Sequence, residues 1–298
     1  MTTQGFRCLP AALVDRLQEC AIVPRLVPAG TGQGRHRART HGASVEFADY
    51  RRYIPGDPPN RIDWAVYART DRVLIRRFED ETALRVHVLV DRSESMAFGG
   101  TDAATNKLAY ASQLAAGLLY VAVQQGDTAH LHTVDTQVTA HGHARSPASL
   151  PPLLSVLDGL LASGRSTLAV ALQAFAASRP QAGLVVVISD FLEDAAGLTS
   201  AVRVLRHAGH RVHLWQVLDR AELQLSMSGA DGLLELAELE TGRKLLVEVD
   251  EFREAYQREA AAHLARLRDA CSAASAGYRL CDPAEPIDHS LRTGIRSL

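Results

Sequence analysis

Leu84-Arg85-Val86-His87-Val88-Leu89-Val90-Asp91-Arg92-Ser93-Glu94-Ser95 is the stretch whose reading decides the fold. A short apolar run ends in an acid and passes directly into alternating hydroxyls. A second run of the same kind, Leu184-Val185-Val186-Val187-Ile188-Ser189-Asp190, also ends in aspartate. Continuous apolar runs of this length suit central parallel strands covered on both faces. Between and after them the spacing predicts an amphipathic helix over 106–125, a strand at His130–Val134 and helices over 150–161 and 168–177. A helix through 201–207 and a strand over 211–218 follow. Strands alternating with helices are the signature of βαβ units. The expected class is therefore α/β, with a doubly wound, mostly parallel sheet of Rossmann type.

Working outward, residues 9–20 have helical spacing, with Leu13, Leu17 and Cys20 on one side and Pro10 suited to a first turn. The Gly-rich basic stretch 30–39 reads as a loop. Its glycines do not make a dinucleotide fingerprint, because no strand precedes them and no helix follows. From Ser44 to Phe78 the pattern is short strands and turns, with turn chemistry at Ile54-Pro55-Gly56-Asp57-Pro58-Pro59 and a strand at 73–78. Eleven arginines stand against five acids between Arg25 and Arg77, so this quarter is locally basic. In the tail, residues 232–249 resemble a hairpin, 250–274 a charged helix and 278–281 a last strand. The expected organisation is an N-terminal helix in 1–24, a β-rich segment over 25–82 and the α/β domain over 83–298.

Bulk composition narrows the function classes. Of 298 residues, 47% are hydrophobic and 22% charged, ordinary for a soluble globular protein. The net charge of -2 argues against a chain that coats nucleic acid or anionic membrane. Four cysteines (Cys8, Cys20, Cys271 and Cys281), none in a C-x-x-C pair, read as reduced thiols. No signal-peptide run opens the sequence and no apolar stretch has membrane-helix length, so the expectation is a cytoplasmic protein without a membrane span.

The chemistry concentrates at the two strand ends. In an open α/β sheet the ligand crevice lies outside the carboxyl ends of the strands, at the topological switch point. Alternate residues of an extended loop point the same way, so Asp91, Ser93 and Ser95 can present three oxygens to one point. Magnesium takes about six oxygens in octahedral array and commonly keeps water. Two hydroxyls, one or two carboxylates and waters meet that demand, with manganese or calcium as alternatives. So few anionic ligands leave the metal electron-poor and open to a partner's carboxylate. Ser163-Gly164-Arg165-Ser166-Thr167-Leu168 offers two more hydroxyls before a helix, and Asp190 completes the set directly or through water. A metal-free alternative has these residues merely capping loops and helices.

At these residues the sequence resembles von Willebrand factor A-type domains, which show D-x-S-x-S, then a loop threonine, then a strand-end aspartate. Val45-Glu46-Phe47-Ala48-Asp49-Tyr50-Arg51, Tyr53-Ile54-Pro55-Gly56-Asp57, Arg61-Ile62-Asp63-Trp64 and Ala68-Arg69-Thr70 resemble, more narrowly, the domain-of-unknown-function family 58. The resemblance covers roughly residues 25–290. It implies a von Willebrand factor A-like fold and an adaptor or chaperone-like partner of a MoxR-type AAA+ ATPase, acting on unidentified client proteins. One departure stands out: Ser166 occupies the usual threonine place and Thr167 the next, and Ser166 is favoured as the loop ligand.

Other features read more plainly. The acids and arginines of 46–70 among Phe47, Tyr50, Tyr53, Trp64 and Tyr67 fit a bracing network of Arg–Asp pairs better than a recognition surface. His130-x-His132 and His141-x-His143 lack a completing ligand and read as ordinary histidines. There is no phosphate loop, no H-E-x-x-H and no G-x-S-x-G. A magnesium-dependent hydrolase using Asp91 and Asp190 is the alternative function, but no base or nucleophile is evident and the chain is read as a non-enzyme.

Overall fold

A computed structural model describes residues 5–22, 45–54, 62–80, 83–99, 105–165, 167–224, 233–237 and 244–298. By contacts the chain forms two compact units, one of residues 1–25 with 84–298 and one of residues 26–83.

In chain order the elements are α1 (Ala11–Leu17), β1 (Val45–Arg52), α2 (Trp64–Thr70), β2 (Leu74–Asp80), β3 (Arg85–Asp91), α3 (Lys107–Gln124), β4 (Thr128–Val134) and β5 (Val138–Ala144). There follow α4 (Pro151–Asp158), α5 (Leu168–Ala177), β6 (Leu184–Ser189), α6 (Ala195–His207), β7 (Arg211–Val217), α7 (Arg220–Gln224), β8 (Leu233–Ala237), β9 (Lys244–Glu248), α8 (Val249–Ala273), β10 (Gly277–Cys281) and α9 (Ile287–Ser297).

The larger unit is built on a six-stranded sheet of order β10-β7-β6-β3-β4-β5. Every neighbouring pair is parallel except β4 with β5. From β3 the chain runs outward through β4 and β5, then returns to the other side of β3 as β6. The α/β doubly wound fold read from the sequence is thus the fold of the chain, and its switch point lies between β3 and β6. Side chains alternate across the sheet as the pleat requires. Val86, Val88, Val90, Val186, Ile188 and Trp215 face one buried layer with α1, α3, α4 and α9. Leu89, Val185, Val187, Val212 and Leu214 face the other, with α5, α6 and α8.

Helix α3 departs from the amphipathic helix expected. Tyr110, Leu114, Ala116 and Val121 are buried along with the face read from the sequence, because α1, α4 and α9 all pack on it. A helix apolar all round is one enclosed by its neighbours. Helix α6 begins at Ala195, earlier than its apolar spacing shows, where Asp194 accepts a hydrogen bond from Gly197 N at 3.2 Å. The edge strand β5 and helix α9 were not foreseen. At α9, a side-chain carbon placed on Gly294 would lie 2.7 Å from Cζ2 of the fully buried Trp215.

In the smaller unit β1 and β2 pair antiparallel, with an irregularity between Phe47 and Asp49. Where short strands and turns were expected, residues 64–70 form a helix. Asp63 Oδ1 caps it, accepting from Ala65 N at 3.0 Å and Val66 N at 3.2 Å. Trp64 is 60% exposed. The loop at 30–39, Asp57, Arg61 and the side chains of Glu46, Asp49 and Arg51 lie outside the described residues, and with them most of the expected bracing network. The hairpin expected at 232–249 is present as β8 and β9, paired antiparallel in a sheet of their own.

Candidate metal centre

Asp91 ends β3, and Asp190 follows the last residue of β6, so both stand at the carboxyl ends of strands flanking the switch point. Asp91 is 1% exposed. Its Oδ1 accepts from Ser93 N at 2.9 Å and its Oδ2 from Ser189 Oγ at 2.6 Å. The first bond folds the loop back on the strand end and turns Ser93 toward the carboxylate. Ser93 Oγ and Ser95 Oγ then lie 3.0 Å apart, hydrogen-bonded to each other. Burial, together with the charge of Asp190, pushes the Asp91 carboxyl up to about 7.

Two further backbone bonds bring a second loop alongside: Glu94 N donates to Gly164 O at 2.9 Å and Ser163 N to Arg92 O at 2.8 Å. Gly164 has a φ of 75°, a left-handed conformation that glycine adopts without penalty. This loop runs into Thr167, which is exposed and immediately precedes α5. Ser166 lies outside the described residues. The first amides of α5 are held by Glu193, whose carboxylate accepts from Leu168 N and Ala169 N.

Asp190, expected as a ligand directly or through water, is met by a lysine. Its Oδ2 accepts from Lys107 Nζ at 2.9 Å, and the same ammonium donates to Glu222 Oε1 at 2.6 Å. Lys107, Glu222, Ser189 and Glu193 were not singled out in the sequence. The signal for Lys107 was its rarity, since it is one of two lysines in the chain. Ser189 carried the signal of its position before the strand-end acid. Glu193 and Glu222 carried none, being acids in loop and helix contexts where acids are ordinary. Beyond Asp190 the backbone turns sharply: Phe191 has a φ of 49°, its N–H donates to Ser189 Oγ at 3.0 Å, and its carbonyl accepts from His263 Nε2 at 2.8 Å.

The cluster fits a small divalent cation on two counts. Two ligands at right angles, each about 2.1 Å from magnesium, are about 3.0 Å apart, and that is the spacing of the two serine oxygens. Asp91 is a buried carboxyl beside them that can supply the anionic ligand. Such a donor set is mainly hydroxyl; among the described residues no three His, Cys, Asp or Glu side chains gather as a metal site.

The histidines form a separate cluster at the opposite end of β3. His87 stacks on His130 with centroids 4.7 Å apart, His130 meets His143 at 5.3 Å, and His87 meets His210 at 5.8 Å. His87 Nε2 donates to Gln181 O at 3.1 Å, since a carbonyl only accepts. In the neutral ring this makes Nδ1 the acceptor and places the proton of His132 on Nε2, 3.4 Å away. His132 Nδ1 is then a bare acceptor, and it is buried without a hydrogen-bond partner among the described residues. Burial and the neighbouring imidazoles lower His87 to about 4 and His132 to about 3.

A doubly wound α/β domain with a cluster of acids and hydroxyls at its switch point is the class these features define. The chain belongs to the family described as "Protein of unknown function DUF58", whose model matches residues 49–266. This is the family that the 45–70 tract pointed to. Uncharacterized proteins of Mycobacterium bovis and Mycobacterium tuberculosis are each 30% identical over 242 residues, 79% of this chain and 74% of theirs. Among solved structures, BatB from Bacteroides thetaiotaomicron is 14% identical over 72% of this chain and 97% of its own, with a TM-score of 0.48. An aerotolerance-related membrane protein from Bacteroides fragilis is 15% identical over 72% and 100%, with a TM-score of 0.47. A von Willebrand factor type A structure from Catenulispora acidiphila is 13% identical over 74% and 43%, with a TM-score of 0.43. These likenesses concern fold alone. Among the described residues no helix is long and apolar enough to cross a membrane.

Proposed function

We propose that the chain is a protein-interaction module that docks through a divalent cation, magnesium or manganese, at Asp91, Ser93 and Ser95. Its partner on this reading is a MoxR-type AAA+ ATPase, beside which it serves client proteins as an adaptor or chaperone-like factor. The observation that carries the reading is the pair of serine oxygens at octahedral spacing beside the buried Asp91. A cation with few anionic ligands supplies an open position for an outside carboxylate. The chain's own part is to hold the oxygens ready. Ser93 N and Ser189 Oγ orient Asp91, and the two bonds between residues 92–94 and 163–164 fix the loops around it. The reading assigns a binding role and no catalytic step.

Calorimetric titration with Mg²⁺ and Mn²⁺ tests it, beside capture of the purified ATPase with and without EDTA. Asp91→Ala is expected to lose cation binding while keeping its circular dichroism spectrum, and EDTA is expected to release the ATPase. Capture indifferent to both EDTA and Asp91→Ala would overturn the cation's role.

A further inference from the structure

Lys107 is the first residue of α3 and its side chain is fully buried. Most buried lysines are costly, since the ammonium must leave water and then satisfy its donors. This one reaches Asp190 on the β6 end at 2.9 Å and Glu222 on α7 at 2.6 Å, and lies 5.8 Å from the centre of the Phe98 ring. Glu222 is itself anchored, its second oxygen accepting from Asp219 N at 3.1 Å. Three segments of chain thus meet on one charge: the start of α3, the end of β6 and α7.

One ammonium meets two acids, and neither is Asp91. Asp91 is held instead by Ser93 N and Ser189 Oγ. The ammonium is also a compact point charge on a flexible stem, able to fill a narrow space between two acids. A neutral donor could hold Asp190 in place, but it could not cancel the charge.

We propose that Lys107 is the built-in counter-ion of the cluster. It takes Asp190 as its own partner, leaves Asp91 as the carboxylate that meets the cation, and so sets the affinity of the site. This rests on the reading of Asp91, Ser93 and Ser95 as a cation site. A cation held by one carboxylate keeps its attraction for an external one. Through Glu222 the same ammonium ties the cluster to α7.

Mn²⁺ binding, followed by electron paramagnetic resonance on the full chain, tests the proposal. Lys107→Met leaves Asp190 uncompensated beside the site, and Mn²⁺ is expected to bind at least about tenfold tighter, the scale on which a neighbouring charge acts. The gain is expected to vanish in Lys107→Met/Asp190→Asn. Equal or weaker binding by Lys107→Met, or a gain that survives in the double variant, overturns the counter-ion role. Should Lys107→Met fail to fold, Glu222→Gln decides: with one acid fewer around the ammonium, Mn²⁺ is expected to bind about threefold or more weakly on the same scale, and unchanged affinity overturns the proposal. Native protein that binds no Mn²⁺ at all defeats the cation reading and this inference together. Native binding without the Lys107 or Glu222 effect defeats only the inference.

Discussion

Ser189 shows how much one hydroxyl can organise. It donates to Asp91 Oδ2 and accepts from Phe191 N, joining the ends of β3 and β6 across the switch point. Ser189→Ala leaves a buried carboxylate oxygen and a buried amide each short of a partner. The expected cost is about 1–3 kcal/mol, read as a lower urea midpoint with unchanged slope; a midpoint equal to the native one would deny Ser189 this part. At this scale the sequence was legible where residue type and spacing coincide. Asp91, Ser93 and Ser95 were read from alternation after a strand, and the structure brings the three together. The partner of Asp190 was not legible, because Lys107 lies 83 positions away and nothing local pairs them. Long-range polar contacts leave no periodic trace.

Between elements, the packing of α9 on α3 and β7 depends on absent side chains. Gly117 faces Leu291, and a carbon added there would come within 2.5 Å of Leu291 Cδ1; Gly294 faces Trp215 in the same manner. Gly294→Ala is expected to destabilise by about 1–3 kcal/mol through overpacking, even though alanine favours helix. A thermal melt at or above the native midpoint would show that α9 shifts freely. The histidine cluster gives the elements β3 and β4 a common pH response. His87 and His132 have an ordinary value of 6.5 when unfolded and sit at about 4 and about 3 when folded. The unfolded chain therefore binds more protons between these values. Their stabilising contribution is complete above pH 6.5 and is lost as pH falls toward 4 and then 3, at about 1.4 kcal/mol per pH unit for each ring. Urea midpoints are expected to fall from pH 7 to pH 5, less steeply in His132→Leu. A slope indifferent to that substitution would place the acid sensitivity elsewhere. Central elements were legible because apolar runs announce them. Strand β5 was not, since most of it is exposed at the sheet edge and its Gly142 and histidines break alternation. Helix α9 was legible in principle, with Ile287, Leu291 and Ile295 four residues apart, but a stripe of three apolar residues over eleven is a weak helix signal.

Over the whole molecule the family and the doubly wound class were legible from two apolar strands and one aromatic tract, because each of these features is local in the chain. The grouping of α1 with residues 84–298 was not, since a chain of 298 residues does not announce that a segment will return past a 58-residue insertion, 26–83. That arrangement has an optical consequence. The chain contains two tryptophans. Trp215 is sealed in the larger unit at 0% exposure, and Trp64 stands in water in the smaller unit at 60%. An indole shielded from solvent dipoles emits at shorter wavelength than a hydrated one. The native fluorescence is therefore expected to be a sum of a blue and a red component, and Trp64→Phe is expected to remove the red one alone. A single unstructured band, unchanged in shape by that substitution, would contradict it. Where the two colours separate, one cuvette follows each of the two units on its own as denaturant is added, with no dye attached.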